Sequence, residues 1–244
     1  MTLNRPFLLL STRPEDEATA EELASFTAGM QLDDGAIEQR RVESAPLGEV
    51  DLDSYSGVLL GGSPFNNSDA VKSQNQLRVE REIGTLVREI IDRDYPLMGA
   101  CYGIGTVGTL IGATLGDEYA EEAGLITVTV TPEGASDPLL DGLPESFHTL
   151  VGHKEAVSSV PSTATVLVSG AACPIQMFRV KSNVYATQFH PELTAPALEA
   201  RLRLYAHLGY VRADVMEANI AEAYTGDFRW NNQILANFAE RYGR

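Results

Sequence analysis

The stretch "YPLMGACYGIGTVGTLIG", residues 95–112, places a cysteine between small residues where an apolar run passes into a helix-like pattern. The run is typical of a buried strand, and the helix is predicted to begin at Tyr102. A tight strand-to-helix turn with glycines that permit close backbone approach is the pattern of a nucleophile elbow. The positive end of the helix dipole would favour a thiolate at Cys101. Cys101 is therefore a candidate nucleophile, and the alternative is a buried structural cysteine.

The residues before this turn predict alternating strands and helices. The sequence predicts a buried strand at 6–12 and a helix with an acidic first turn at 14–30. It then predicts a polar strand near a sheet edge at 36–45, a strand that runs into a glycine-rich turn at 55–69 and an amphipathic helix at 75–94. With the elbow included, the order is β-α-β-β-α-β-α. This order predicts an α/β fold with an open, mostly parallel sheet flanked by helices.

The second half of the chain has a different pattern of predicted secondary structure. From about residue 124 it is rich in short β-type runs separated by turns, which predicts a mixed sheet attached to the parallel core. Helical patterns return at 194–210 and 231–244, and His207 is expected to pack within the first of these helices. No linker or repeat interrupts the chain. One domain is predicted over 1–244, with 211–244 as a C-terminal helical extension.

Composition excludes several classes of function. The chain has 18 basic and 34 acidic residues and a net charge of -16, whereas nucleic-acid binding needs clustered Lys and Arg. The apolar run near the N-terminus is too short for a signal segment or a membrane span. Two cysteines among 244 residues do not make a disulfide framework, which favours a reducing cytoplasm.

A base for the thiol is expected near the end of another strand. His190 ends the apolar run "VYATQF" and is followed by Pro191 and Glu192. In extended backbone, residues two apart project to the same side, so Glu192 can hold one ring nitrogen of His190 while the other faces a nucleophile. The second cysteine, Cys173, lacks the glycine flanks of the elbow and is interpreted as structural.

Together these segments resemble the class I glutamine amidotransferase family over roughly residues 5–210. The matching segments are "GVLLGGSPFNNSD", "PLMGACYGIG", "VGHKEAVSSVP", "VLVSGAACPIQMFRV" and "VYATQFHPEL". The resemblance implies a flavodoxin-like sheet, with Cys101 as nucleophile, His190 as general base and acid and Glu192 as orienter. It also implies an oxyanion hole from the backbone N–H groups of Tyr102 and a glycine of "GGS", Gly62 in preference to Gly61.

One position departs from the family pattern. The family elbow continues "C-x-G-x-Q", and its glutamine side chain helps to hold the substrate, but Gly105 stands there in this chain. Glutamine would then be held by other groups, or the substrate is a bulkier γ-glutamyl compound, or the site is degraded. His153, in the segment "VGHKEAV", would contact substrate or partner, or serve a structural role. No cofactor is expected, and the spacing of histidines and cysteines indicates no metal site.

Three functions stay open at this level. The first is a glutamine hydrolase that supplies ammonia to a separate acceptor or synthase protein. The second is a self-sufficient hydrolase of other γ-glutamyl amides or peptides, because Gly105 would open room for a larger leaving group. The third is a non-catalytic binding or regulatory module that retains the fold. Glutamine or a γ-glutamyl small molecule is the expected ligand, with neither nucleic acid nor membrane as a partner.

Overall fold

A computed structural model of the protein describes residues 3–243. Its first half has the predicted order: β1 (Phe7–Ser11), α1 (Asp16–Gly29), β2 (Ile37–Arg41), β3 (Val58–Leu60), α2 (Gln74–Arg93), β4 (Leu97–Ala100) and α3 (Tyr102–Ile111). The second half adds β5 (Thr114–Gly116), β6 (Glu121–Val130), β7 (Ser146–His153), β8 (Ala156–Ser159), β9 (Ala164–Gly170), β10 (Met177–Val180) and β11 (Val184–Thr187). The tail forms α4 (Ala195–Leu204), α5 (Met216–Ala223) and α6 (Arg229–Tyr242). Met1, Thr2 and Arg244 lie outside the described residues.

Nine of these strands form one continuous sheet in the order β2-β1-β3-β4-β11-β10-β9-β6-β7. The strands from β2 to β11 pair in parallel, and those from β11 to β7 pair antiparallel. The predicted parallel core with a mixed extension is therefore confirmed. Strand β2 lies at the edge, as its polar sequence predicted.

The sheet buries both of its faces under helices, which explains the continuous apolar runs of its central strands. In β1, Phe7 and Leu9 face one side, where they meet Phe26 of α1 and Phe238 of α6. Leu8 and Leu10 face the other side, where they meet the apolar stripe of α2. That stripe begins after Ser73, whose side chain accepts a hydrogen bond from the backbone N–H of Gln76 and caps the helix.

Three features differ from the sequence-based expectations. Strand β5 pairs with β8 in a separate two-stranded sheet, and α5 occupies the segment between the two predicted tail helices. His207 is exposed in a short 3-10 helix, Ala206–Leu208, so the expectation that it packs within a helix is wrong. Neither β5 nor α5 is long enough to give a clear periodic signal.

The C-terminal extension reaches the centre of the fold. Helix α6 places the ring of Phe238 5.8 Å from that of Phe7 in β1. Asn231, at the start of the same helix, is fully buried and donates its side-chain N–H to the carbonyl of His190 at 2.9 Å. A single domain over 1–244 stays a prediction. Within residues 3–243, no helix is both long and apolar enough to cross a membrane.

Candidate active site

Cys101 lies on the sharp turn between β4 and α3. Its φ of 53° and ψ of -95° lie outside the ordinary regions for a residue with a side chain, a conformation that costs about 1–3 kcal/mol. The turn is tight because glycines flank it: a Cβ on Gly99 would lie 3.1 Å from the backbone of Gly103, and one on Gly103 would lie 3.1 Å from the carbonyl of Leu60. The thiol is held half-buried at the carboxyl end of the sheet.

His190 reaches this turn because β11 is the parallel neighbour of β4. The backbone N–H of Cys101 donates to the carbonyl of Thr187, the last residue of β11, at 2.8 Å. Three residues later, His190 presents Nδ1 to Oε1 of Glu192 at 2.8 Å, which leaves Nε2 for Cys101. His190 is 6% exposed and Glu192 1%, so solvent competes little for this hydrogen bond. The structure therefore brings the three sequence-predicted residues together.

The charges of this group favour an imidazolium at neutral pH. Burial alone lowers the pKa of His190, but the negative charges of Glu192 and Cys101, and hydrogen bonds with both, raise it to about 9. Burial raises the pKa of the Glu192 carboxyl, but His190 and Arg201 outweigh this and hold that pKa well below its usual range. An imidazole within hydrogen-bond reach of a thiol and oriented by a third group is the arrangement of a cysteine nucleophile with its base.

The glycine-rich turn after β3 lies against the same histidine. Gly61 donates its backbone N–H to the carbonyl of Leu10 at 3.3 Å, so this N–H is already engaged within the sheet. A Cβ on Gly62 would lie 2.6 Å from Nη2 of Arg13 and 3.0 Å from Cε1 of His190, so this position between the two side chains suits a glycine. Tyr102 is the first residue of α3, and its N–H has no acceptor within the helix.

The position of the missing family glutamine is already filled. A Cβ on Gly105 would lie 2.6 Å from Nδ2 of Asn67 and 2.7 Å from Oε1 of Glu155. Glu155 accepts hydrogen bonds from the backbone N–H groups of Asn67 at 2.8 Å and Ser68 at 2.7 Å, so its carboxylate fastens the loop to the segment after β7. The expectation that Gly105 opens room for a larger leaving group is wrong, because loop and carboxylate occupy that space.

His153 belongs to a second group of Glu, His and Cys side chains. Its Nδ1 lies 3.0 Å from the carbonyl of Glu155 and its Nε2 3.0 Å from Oε2 of Glu121. The ligand atoms of Glu121, His153 and Cys173 lie within 4.8 Å of one another, a grouping compatible with a metal ion that sequence spacing does not reveal. Both ring nitrogens of His153 are engaged by protein groups, so an ion would have to displace the Glu121 contact.

Cys173 has the properties of a structural thiol. It is fully buried, and its Sγ lies 3.5 Å from the carbonyl of Ile175. Burial raises its pKa to about 11, so the nucleophilic thiolate is scarce at neutral pH. Although Cys173 stands near a histidine and a carboxylate, Cys101 is the better placed nucleophile because its thiol lines a cleft.

Two clefts meet at Cys101. The His190-side cleft is lined by Cys101 and His190 together with Arg13, Arg201 and apolar residues of the α4 region. The Tyr102-side cleft is lined by Cys101 together with Tyr102, His153, Glu155 and Gln188. Ser63 and Tyr210 border both. Cys101 is therefore accessible from both clefts.

Two arginines of the site were not predicted from the sequence. Arg13 pairs through Nε with Oε1 of Glu22 at 3.0 Å, and Arg201 donates from Nη1 to Oε1 of Glu192 at 3.0 Å. Arg13 stands two residues after β1, at the end of the sheet where binding crevices form, so its position carried a usable signal. Arg201 lies on α4 in a sequence that resembles any exposed helix face, and no local pattern marks it.

Solved structures share this fold over nearly the whole chain. A glutamine amidotransferase from Thermotoga maritima superposes with a TM-score of 0.77 at 16% identity, covering 99% of each chain. A glutamine amido transferase from Methylobacillus flagellatus superposes with a TM-score of 0.74 at 17% identity, covering 100% of this chain and 97% of that one. At such low identity these likenesses concern the fold.

Relatives are also found at the level of sequence. A glutamine-hydrolyzing GMP synthase subunit of Thermoplasma acidophilum is 28% identical over 144 residues, which are 59% of this chain and 66% of that protein. GMP synthase [glutamine-hydrolyzing] of Lactobacillus delbrueckii subsp. bulgaricus is 32% identical over 146 residues, 59% of this chain but only 26% of that protein. The chain thus spans less than two thirds of the length of these relatives.

The family model agrees with the geometry. The model for glutamine amidotransferase class-I matches residues 33–202, which include the glycine-rich turn, the elbow and the strand that leads to His190. The turn at Cys101 and the pairing of β4 with β11 lie within this matched region. On the match and the shared fold, the chain belongs to the class I glutamine amidotransferase family.

Proposed function

We propose that this protein hydrolyses the side-chain amide of glutamine through a thioester on Cys101. The observation that carries the proposal is the position of His190, held by Glu192 at 2.8 Å on one side and within hydrogen-bond reach of Cys101 on the other. Nucleophile, base and orienter in this relation are the requirements of acyl transfer by a cysteine.

In each step of the proposed hydrolysis, one bond to the amide or thioester carbon changes and a group of the site assists. The Cys101 thiolate attacks the amide carbon of the substrate, and the backbone N–H groups of Gly62 and Tyr102 stabilise the oxyanion, each such donor being worth about 10²–10³ in rate. The C–N bond then breaks as His190 gives its proton to the departing nitrogen. Water, deprotonated by His190, hydrolyses the γ-glutamyl thioester, which releases glutamate and restores the Cys101 thiolate and the His190 imidazolium.

Ammonia is the second product when glutamine is the substrate. The names of the relatives describe glutamine-hydrolysing GMP synthases, and one of these names denotes a separate subunit. By analogy, ammonia from this chain would pass to an acceptor enzyme on another chain. A reducing cytoplasm is the proposed location, because it keeps the thiol of Cys101 free.

The test follows glutamate and ammonia release from glutamine by the purified protein. A matched pair of variants, Cys101→Ala and Cys173→Ala, removes one thiol each. We expect Cys101→Ala to abolish release and Cys173→Ala to retain it. Equal activity in wild type and Cys101→Ala would refute the proposed nucleophile. The absence of turnover, together with no labelling of Cys101 by a glutamine-like electrophile, would favour the non-catalytic module.

A further inference from the structure

The His190-side cleft is more apolar than the release of ammonia requires. The space between its walls is about 520 Å³ when the open solvent at its mouth is included. Leu198 and Leu202 of α4 and Leu208 form apolar walls, and Arg13 and Arg201 lie among them. Ammonia is small and polar and gains nothing from such walls, whereas an amine with an apolar body would bury surface against them.

The proposed chemistry decides which half of the substrate enters this cleft. His190 lines the His190-side cleft, whereas Tyr102 lines the other one. Because His190 must protonate the departing nitrogen, the leaving group has to approach from its side. The γ-glutamyl half, whose carbonyl oxygen faces the N–H of Tyr102, then lies in the Tyr102-side cleft.

Arg201, which lines the His190-side cleft and also a small pocket beside Glu17 and Glu21, has one donor without a partner among the described residues. Its Nε donates to Oε2 of Glu21 at 2.8 Å and its Nη1 to Oε1 of Glu192 at 3.0 Å. Its Nη2 is buried without a hydrogen-bond partner among the described residues. A buried donor of this kind is satisfied when a ligand brings an acceptor. A guanidinium whose other nitrogens are already fixed presents that N–H in a constant direction.

Arg13 adds a second guanidinium to the same cleft. Its Nε is held by Glu22 at 3.0 Å, and its Cζ lies 5.7 Å from the ring centroid of Tyr205. Both arginines are already paired with carboxylates, so the cleft carries little surplus positive charge. Recognition there would depend on directed hydrogen bonds to a carboxylate, for which the planar guanidinium is well shaped.

We infer that the His190-side cleft is a leaving-group subsite for γ-glutamyl amides whose amine half is an apolar amino acid, with its carboxylate accepting a hydrogen bond from Nη2 of Arg201. The inference rests on the proposed cleavage at Cys101 and names its substrate class. The amide C–N bond breaks, the amino acid leaves with the proton from His190, and water converts the thioester to glutamate. Glutamine undergoes the same cleavage but leaves the subsite empty.

The experiment compares four substrates that separate the carboxylate from the apolar body. Glutamine has neither, γ-glutamylglycine has the carboxylate, γ-glutamyl-isoamylamide has the apolar body, and γ-glutamylleucine has both. Glutamate release gives kcat/KM for each with wild type and Arg201→Gln. Binding of the last two to Cys101→Ala, measured by calorimetry, gives a readout that needs neither turnover nor an altered arginine.

We expect γ-glutamylleucine to exceed glutamine at least tenfold in kcat/KM with wild type. We also expect it to exceed γ-glutamyl-isoamylamide about tenfold, a ratio that falls towards one in Arg201→Gln. Because both amides share the same chemistry, a general loss of catalysis in that variant cancels from the ratio. The Cys101→Ala protein should bind γ-glutamylleucine about tenfold more tightly than γ-glutamyl-isoamylamide.

Other outcomes would overturn the inference. Preference for glutamine over all three amides would remove the subsite and leave the proposed glutamine hydrolysis intact. Equal kcat/KM and equal binding for the leucine and isoamyl compounds would remove the role of Arg201. Failure of all four substrates, with Cys101 unlabelled by an electrophile, would refute the proposed function and the subsite together.

Discussion

Arg201 and His190 donate to the same oxygen of Glu192. Nη1 of Arg201 lies 3.0 Å from Oε1 and Nδ1 of His190 lies 2.8 Å from it, with 3.4 Å between the two nitrogens. The carboxylate is therefore shared between a guanidinium and an imidazole in a buried setting. Arg201 helps to keep Glu192 ionised, so Glu192 can orient His190 without taking its proton.

The first prediction concerns the carboxylate itself. Glu192→Gln would present an amide to two cationic donors and would remove the charge that favours the imidazolium. We expect kcat to fall by up to about 10⁴-fold, the loss that follows when the orienting carboxylate of a triad becomes an amide. Glu21→Gln is the matched control, because it removes a partner of Arg201 without touching His190. A loss in Glu21→Gln as large as in Glu192→Gln would argue against a specific orienting role.

The second prediction concerns pH. The pKa of His190 is raised from its ordinary 6.5 to about 9, so the imidazolium that protonates the leaving nitrogen persists at neutral pH. We expect the rate to fall as pH rises through about 9. In Glu192→Gln, the descending limb should move to lower pH, because the favourable charge is gone while Arg201 stays.

The same shift links His190 to stability. A group whose pKa is raised on folding contributes stability that is fully present below its unfolded pKa, near 6.5, and is lost as pH rises through about 9. We therefore expect the melting temperature to fall between pH 7 and pH 10 in wild type and to fall less in His190→Gln. An identical alkaline decline in both proteins would contradict the assignment.

The third prediction distinguishes the two thiols. Cys101 is half-buried at the junction of two clefts, whereas Cys173 is fully buried and burial raises its pKa to about 11. We expect iodoacetamide to modify the native protein at Cys101 and to spare Cys173 until the chain unfolds, as seen by peptide mass spectrometry. Equal modification of both residues under native conditions would contradict this difference.

The fourth prediction concerns Gly105. In Gly105→Ala, the new Cβ would lie 2.6 Å from Asn67 and 2.7 Å from Glu155, and both side chains would have to move. Their movement would weaken the hydrogen bonds from the loop to Glu155, so we expect a loss of about 1–2 kcal/mol in the free energy of unfolding. Urea denaturation measures it.

A control for this substitution exists in α2. Gly84→Ala places a Cβ 3.9 Å from the nearest atom, Cδ2 of Leu110, and should stabilise the helix by about 0.5–1 kcal/mol. Asn67→Ala in the Gly105→Ala background should recover part of the loss. Equal stability changes in Gly84→Ala and Gly105→Ala would show that the close contacts at 105 have no energetic effect.

Much of the fold could be predicted from the sequence because its signals are local. The apolar run of β1 and the stripe of α2 specify element type by periodicity alone, and the polar composition of 36–45 correctly indicated the edge strand β2. The three-residue strand β5 and the eight-residue helix α5 are too short for such periodicity.

Some residues of the candidate site could be predicted from local sequence patterns and others could not. Cys101 and Glu192 stand in local patterns, a glycine-flanked turn and a residue two positions after a histidine. Arg201 reaches the site because of how α4 packs. Glu155 fills the space beside Gly105 although the two residues are far apart in sequence. Such contacts depend on tertiary packing, which no local spacing encodes.

The neighbouring positions of β4 and β11 have a consequence for how this scaffold can change. The N–H of Cys101 is bonded to the carbonyl of Thr187, so one hydrogen bond between adjacent strands contributes to the spacing of thiol and imidazole. The backbone N–H of His190 also donates to the carbonyl of Leu150 in β7 at 2.9 Å, so the antiparallel half of the sheet holds the imidazole as well. A change of register in β7 would therefore shift the imidazole relative to the thiol, so the reacting atoms limit how far this half of the sheet can be remodelled.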